Sequence, residues 1–128
     1  MIDLVITGKP LSVNKTYRTT RNRGIIFLSK EAKAYGEEVV RQAREQYKDA
    51  PLDCWLEVTY FYYFDSKRRM DHLNFNKLLN DKLNNLVWVD DRQILISSHY
   101  TMYDKNNPRI EINIKPIYGL EKNEPRKK

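Results

Sequence analysis

The sequence predicts a single α/β or α+β domain, a mixed β-sheet with two main helices packed on it, and three observations carry that expectation. Runs of alternating or β-branched residues recur at 2–8, 25–29, 54–64, 93–103 and 109–117. Two intervening stretches place apolar residues at helical spacing instead. The chain has 128 residues, enough for one hydrophobic core and too few for two. Strands and helices mixed in this order are expected to form one sheet with both helices on one face. The domain is expected over residues 1–118, followed by a basic, disordered tail at 119–128.

The first strand, IDLVITG at 2–8, ends where Gly8 and Pro10 break the pattern. A polar loop follows, KPLSVNKTYRTTRNRG, rich in lysine and arginine and without an acid. After a second short strand, IIFLS, Ser29 is placed to cap a helix running to about Lys48, with Glu31 in its first turn. Ala32, Tyr35, Val39 (or Val40) and Ala43 recur on one face of that helix and are expected in the core. Pro51 ends this region, and CWLEVTYFYYF at 54–64 is the best candidate for a central strand. A basic loop, DSKRRM, leads to a second helix from Asp71 to about Leu86. In the strand at 93–103, Ile94, Ile96, Tyr100 and Met102 point one way, and Ile110, Ile112 and Ile114 do so in the strand at 109–117. KNNP between them reads as a hairpin turn.

Charge bounds the function. Lysine and arginine number 23 against 17 acids, for a formal charge of +6, a balance suited to a partner bearing phosphates or to anionic lipid, or to a basic surface with no polyanionic partner. A single cysteine, Cys54, cannot form an internal disulfide, which fits a reducing, cytoplasmic setting. No leader-like segment is expected, and no run approaches the roughly 18 apolar residues of a membrane span. The chain is therefore expected to be soluble, with no membrane partner.

The stretch DHLNFNKLLNDKLNNLVWVDD, at 71–91, brackets a helix with carboxylates. Asp71 suits an N-cap, with Met70 stapling against Phe75. Asp90 and Asp91 suit the tight turn before the next strand. At 100° per residue Phe75, Leu78, Leu79, Leu83 and Leu86 form an apolar stripe, and Asn74, Lys77 and Asp81 share a polar face. Leu73 falls far off the stripe. Such a helix is roughly 22–24 Å long, so Asp71 and Asp91 meet only if the following turn folds back beside the first turn.

Arg68, Arg69, Asp71, Asn74, Lys77, Asp81 and Leu83, followed by Trp88, Asp90, Asp91, Gln93 and Ile94, resemble the signature of the RusA-like crossover-junction endodeoxyribonucleases. The segments PLSVNKTYR at 10–18 and LSKEAKAY at 28–35 are also similar to that family, so the likeness spans about residues 4–117. The resemblance implies a homodimeric nuclease that resolves Holliday junctions and related branched DNA by paired nicks, in recombination or repair, often in a phage or prophage setting. It implies Mg2+, with Mn2+ as a substitute, held by Asp71 and Asp91, with Asp90 available as a further ligand. Asp71, Asp91 and Lys77 would be catalytic, with Lys77 near the scissile phosphate. Asn14, Lys15, Arg18, Arg21, Arg23, Lys67, Arg68, Arg69 and Asn74 would contact DNA.

The chain departs from the family at Leu73, where an aspartate is expected. Leucine offers a hard cation no oxygen. Asp90 or Asp81 could replace the missing ligand, and His72 supplies only a nitrogen nearby. The alternative reading is a branched-DNA-binding protein that keeps the fold and basic surface but has weak or lost cleavage.

Overall fold

The chain runs β1 (Ile2–Thr7), β2 (Tyr17–Thr19), β3 (Ile26–Leu28), α1 (Lys30–Gln46), β4 (Leu56–Phe64), α2 (Leu73–Leu83), one 3₁₀ turn (Asp91–Gln93), β5 (Ile94–Tyr103) and β6 (Arg109–Pro116). The structure, a computed structural model, describes residues 1–10, 17–19, 26–67 and 73–119, with the backbone alone at 17–19, 26–28 and 73–74. The main sheet has the order β1-β6-β4-β5. In it β6 is antiparallel to both β1 and β4, and β5 is parallel to β4. The polar loop after β1 contains a strand that the sequence does not suggest: β2 pairs antiparallel with β3 in a separate two-stranded sheet.

β4 occupies the middle because every second side chain is apolar and buried: Leu56, Val58, Tyr60, Tyr62 and Phe64. Leu4 and Ile6 of β1 and Ile110, Ile112 and Ile114 of β6 share that face. Both helices close over it. α1 contributes Ala32, Val39 and Ala43, and α2 contributes Phe75, Leu78, Leu79 and Leu83, all in one cluster. The helices approach closely at Gly36, where a Cβ would come within 2.7 Å of Lys82 Cε.

α1 begins at Ser29, whose Oγ accepts from Ala32 N at 3.1 Å, as an N-cap should. Its Gln42 and Gln46 also seal the outer edge of β1. Gln46 accepts from Val5 N and donates to Val5 O, both at 2.8 Å, and Gln42 accepts from Thr7 N at 2.8 Å. α2 stops at Leu83, short of the expected Leu86, because Asn85 adopts a left-handed φ of 63° that ends the helix.

The expected hairpin between β5 and β6 does not form, since β4 lies between these strands. The connection from Asp104 to Pro108 instead crosses the end of β4, where Asp104 N donates to Phe64 O at 2.8 Å. Arg109 secures the crossing: it reaches Asp104 at 2.8 Å and Glu111 at 2.7 Å, and its guanidinium lies 3.8 Å from the Tyr63 ring centroid. The pairing of β4 and β5 shifts register between Leu56 and Glu57. Ile94 therefore packs on the core, whereas Ile96, Tyr100 and Met102 share the opposite, open face with Phe61 and Tyr63.

Phe75 is fully buried and meets Tyr35 and Tyr62 edge-on, with ring centroids 5.1 and 6.3 Å away. Phe75→Ala should cost about 3–5 kcal/mol of stability, read from urea unfolding, through lost transfer energy and the cavity left between α1, α2 and β4.

Candidate functional site

The two adjacent aspartates after α2 have different environments. Asp90 is buried, and its carboxylate accepts from Arg92 N at 3.2 Å, capping the 3₁₀ turn. Its own N–H donates to Gln93 Oε1 at 2.8 Å, completing a reciprocal capping box. Gln93 Nε2 in turn donates to Leu52 O at 2.7 Å and Cys54 O at 2.9 Å, which clamps the turn to the segment before β4. Backbone bonds from Leu52 N to Val87 O and from Val89 N to Leu52 O hold the preceding residues to the same segment.

Asp91, the first residue of the turn, is half-buried. Its carboxyl titrates above the usual aspartate range, first because of burial, then through the side chain of Asp90 and the negative charge of Asp81. Asp81 and Lys77 are exposed and lie one turn apart on α2. The arrangement is a crowded carboxylate beside a second acid, with a lysine on the same helix face. Such crowding favours whatever adds positive charge, a proton or a cation.

Beneath α2 lies a polar chain that the spacing of residues does not announce. Tyr60 Oη donates to Asn80 Oδ1 at 2.6 Å, Asn80 Nδ2 to Asn76 Oδ1 at 3.2 Å, and Asn76 Nδ2 to Tyr62 Oη at 3.1 Å. Tyr62 Oη lies 3.1 Å from His99 Nδ1, and His99 Nε2 lies 2.7 Å from Ser97 Oγ. Burial pushes both tyrosine hydroxyls far above their ordinary pKa, so they remain neutral donors, and the charge of Asp91 further opposes ionisation of Tyr60. The one signal in the sequence is Asn76 and Asn80, four residues apart at the margin of the apolar stripe.

These bonds fix the direction of α2: Asn80 lies over Tyr60 and Asn76 over Tyr62, so the helix runs antiparallel to β4. The negative charge of Asp81, in the last turn of α2, reaches Asp91. Leu73, in the first turn, is about 12 Å further along the helix axis from Asp81 at 1.5 Å per residue. Asn14, Lys15, Arg21, Arg23, Arg68, Arg69, Asp71 and His72 lie outside the described residues. Arg18 lies in β2 and Asn74 in the first turn of α2, described by backbone alone. Lys67, exposed beyond β4, sits 5.4 Å over the Tyr103 ring at the end of β5. Among the described residues no three His, Cys, Asp or Glu side chains are arranged to hold a metal ion. Asp91 and Asp81 offer the hard oxygen donors that magnesium takes, but they do not complete a site by themselves.

A four-stranded mixed sheet with two helices on one face, followed after the second helix by a turn bearing two aspartates, defines the class: a small α+β protein. Residues 7–115 match the family model Endodeoxyribonuclease RusA, and the chain belongs to that family. It is similar to the crossover junction endodeoxyribonuclease RusA of Shigella sonnei strain Ss046 and to that of Escherichia coli strain K12. Each is 29% identical over 106 residues, covering 82% of this chain and 87% of the relative. Among the described residues no helix is long and apolar enough to cross a membrane.

The crowding at Asp91 has a measurable cost. A carboxyl whose folded pKa is raised binds protons more readily in the folded state. Stability therefore falls as pH rises from the unfolded aspartate value of about 3.9 through the raised folded value. Asp91→Asn should unfold at a higher Tm than wild type at pH 7 in the presence of a chelator, and this difference should vanish below about pH 4. Thermal melts at both pH values check it, and an equal difference at both would contradict the electrostatic origin.

Proposed function

We propose that this chain is a metal-dependent, structure-specific endodeoxyribonuclease that resolves Holliday junctions and related branched DNA by paired nicks, serving recombination and repair in the cytoplasm. The observation that carries this reading is Asp91: a half-buried carboxylate whose pKa is raised by burial, by Asp90 and by the charge of Asp81, in a member of the RusA family. The relatives named above are crossover junction endodeoxyribonucleases, and a surplus of six positive charges suits a nucleic-acid substrate.

In this reading Asp91 and Asp71 hold Mg2+, or Mn2+ in its place, with Asp90 as a further oxygen donor. The cation would supply charge neutralisation at the phosphoryl oxygens and a water acidic enough to attack phosphorus. Lys77 places positive charge near the scissile phosphate. Asn14, Lys15, Arg18, Arg21, Arg23, Lys67, Arg68, Arg69 and Asn74 contact the DNA and offset repulsion between carboxylates and phosphates. Paired nicks on a twofold junction suit a homodimer. The outer edge of β5, with Leu95, Ile96, Tyr100 and Met102 exposed, supports a second subunit seated there.

One observation favours a second reading, a branched-DNA-binding protein with weak or lost cleavage. Leu73 stands where the family resemblance calls for an aspartate, and leucine offers a hard cation no oxygen.

A synthetic four-way junction with Mg2+ or Mn2+ separates the two. Paired nicks by wild type that fall about 10²–10³-fold in Asp91→Asn, the scale of losing one group that stabilises transition-state charge, support the nuclease. Junction binding without cutting by wild type, together with cutting by Leu73→Asp, supports the second reading. Arg68→Ala and Arg69→Ala should each weaken junction binding and lower the slope of log affinity against log salt by about 1, checked by titration at several salt concentrations.

A further inference from the structure

The hydrogen-bonded chain under α2 has more order than packing requires. Asn76 and Asn80 form one stripe of the helix, four residues apart, and Lys77 and Asp81 form another stripe rotated by about 100°. Phe75, Leu78, Leu79 and Leu83 bury α2 against the sheet, but apolar contacts are non-directional and set the rotation of a helix only loosely. The asparagine stripe is fixed by donors and acceptors of defined direction. Asn80 is bonded to Tyr60 at 2.6 Å and Asn76 to Tyr62 at 3.1 Å, while Tyr60 stacks on His99 with centroids 4.7 Å apart and planes 1° from parallel. The two tyrosines and His99 stand on the neighbouring strands β4 and β5, and β5 continues directly from the turn that carries Asp91. Asp91 and Lys77 are thus tied to one frame, the former through β5 and the latter through the asparagines.

We propose that Tyr60 is a positioning residue for the DNA-cleaving site: its hydroxyl, through Asn80 and Asn76, sets the rotation of α2 at which Lys77 and Asp81 face Asp91. This inference rests on the nuclease reading given above. Tyr60 touches no substrate in it and acts only through the helix. Tyr62 plays the same role at a distance of one more helical turn from Asp91, so its hydroxyl matters less to the reaction.

Tyr60→Phe removes one hydroxyl and keeps the ring that packs on His99, so the fold persists. Single-turnover cleavage of a four-way junction with Mg2+ should slow by about 10- to 100-fold, the scale of a misplacement of about 1 Å. Junction affinity in the absence of metal should stay within about twofold, because the phosphate contacts are untouched. Tyr62→Phe should show the smaller loss. The discriminating measurement is the double variant with Lys77→Ala. If Tyr60 acts by orienting α2, Tyr60→Phe should lower the rate by less than about threefold once Lys77 is gone, because groups acting as a unit are non-additive. Cleavage by Tyr60→Phe within about twofold of wild type overturns the proposal, and so does a loss that multiplies fully with that of Lys77→Ala. Amide hydrogen exchange reads the same device without catalysis: Tyr60→Phe should speed exchange in α2 while leaving α1 and β6 unchanged. If wild type does not cleave, the nuclease reading and the role of Tyr60 in it both fall. Exchange confined to α2 would then still establish Tyr60 as the residue that sets this helix, and unchanged exchange would overturn that as well.

Discussion

Two phenolic hydroxyls enter the core from β4, and much of the molecule is arranged around finding them partners. Tyr60 and Tyr62 are both fully buried. A hydroxyl buried without a hydrogen bond costs on the order of 1–3 kcal/mol on mutational scales. The backbone of β4 offers no partner, because its groups are engaged with β5 and β6. The partners come from above, as Asn76 and Asn80, and from the side, as His99. A helix of leucines alone could have covered β4 in several rotations. This one is held at the rotation that satisfies the hydroxyls, and the residues on its outer face inherit their orientation from that requirement.

The adjacent pair Asp90 and Asp91 shows how one local structure holds one acid and exposes another. Asp90 caps the 3₁₀ turn in a reciprocal box with Gln93, whose amide also ties Leu52 and Cys54. That clamp fixes the turn that carries Asp91, on which the negative charge of Asp81 acts. A protein selected for stability alone would separate these carboxylates, or neutralise one of them. Here burial, Asp90 and the charge of Asp81 together raise the Asp91 pKa, so this turn favours a proton or a cation over a further negative charge.

Features set by neighbours in the chain are legible in the sequence. The Ser29 cap, the core face of α1 and the stripe of Phe75, Leu78, Leu79 and Leu83 all follow from spacing, and the structure shows each of them. Asp90 and Gln93 three residues apart are a capping-box pattern, although the adjacent aspartates suggest only a turn. What depends on distant partners is not legible. Alternation in 93–103 and 109–117 states that two strands exist, not that β4 inserts between them, and one register shift at Leu56 is enough to place Ile94 and Ile96 on opposite faces. The aromatic run of β4 reads as core packing, which is right for the rings of Tyr60 and Tyr62. Their hydroxyls need Asn76 and Asn80, and no local rule pairs a strand residue with a helix residue 14 or 20 positions away.

The two edges of the sheet are treated in opposite ways, and the contrast bears on assembly. An unpaired edge strand presents a row of donors and acceptors that invites another strand, and native proteins commonly cover it. On β1 the amides of Gln42 and Gln46 stand in for a neighbouring strand, bonding the backbone of Val5 and Thr7. The glutamines reach because α1 lies along β1 on the core side. On β5 there is no such device among the described residues. Its side chains at Leu95, Ile96, Tyr100 and Met102 are 40–52% exposed. Sealing one edge directs any strand-mediated contact to the other. Because β5 continues directly from the turn bearing Asp91, a partner seated on it would add its contacts to the same frame that holds the acids. In the nuclease reading proposed above, a second subunit joined there would place two such turns in a fixed relation.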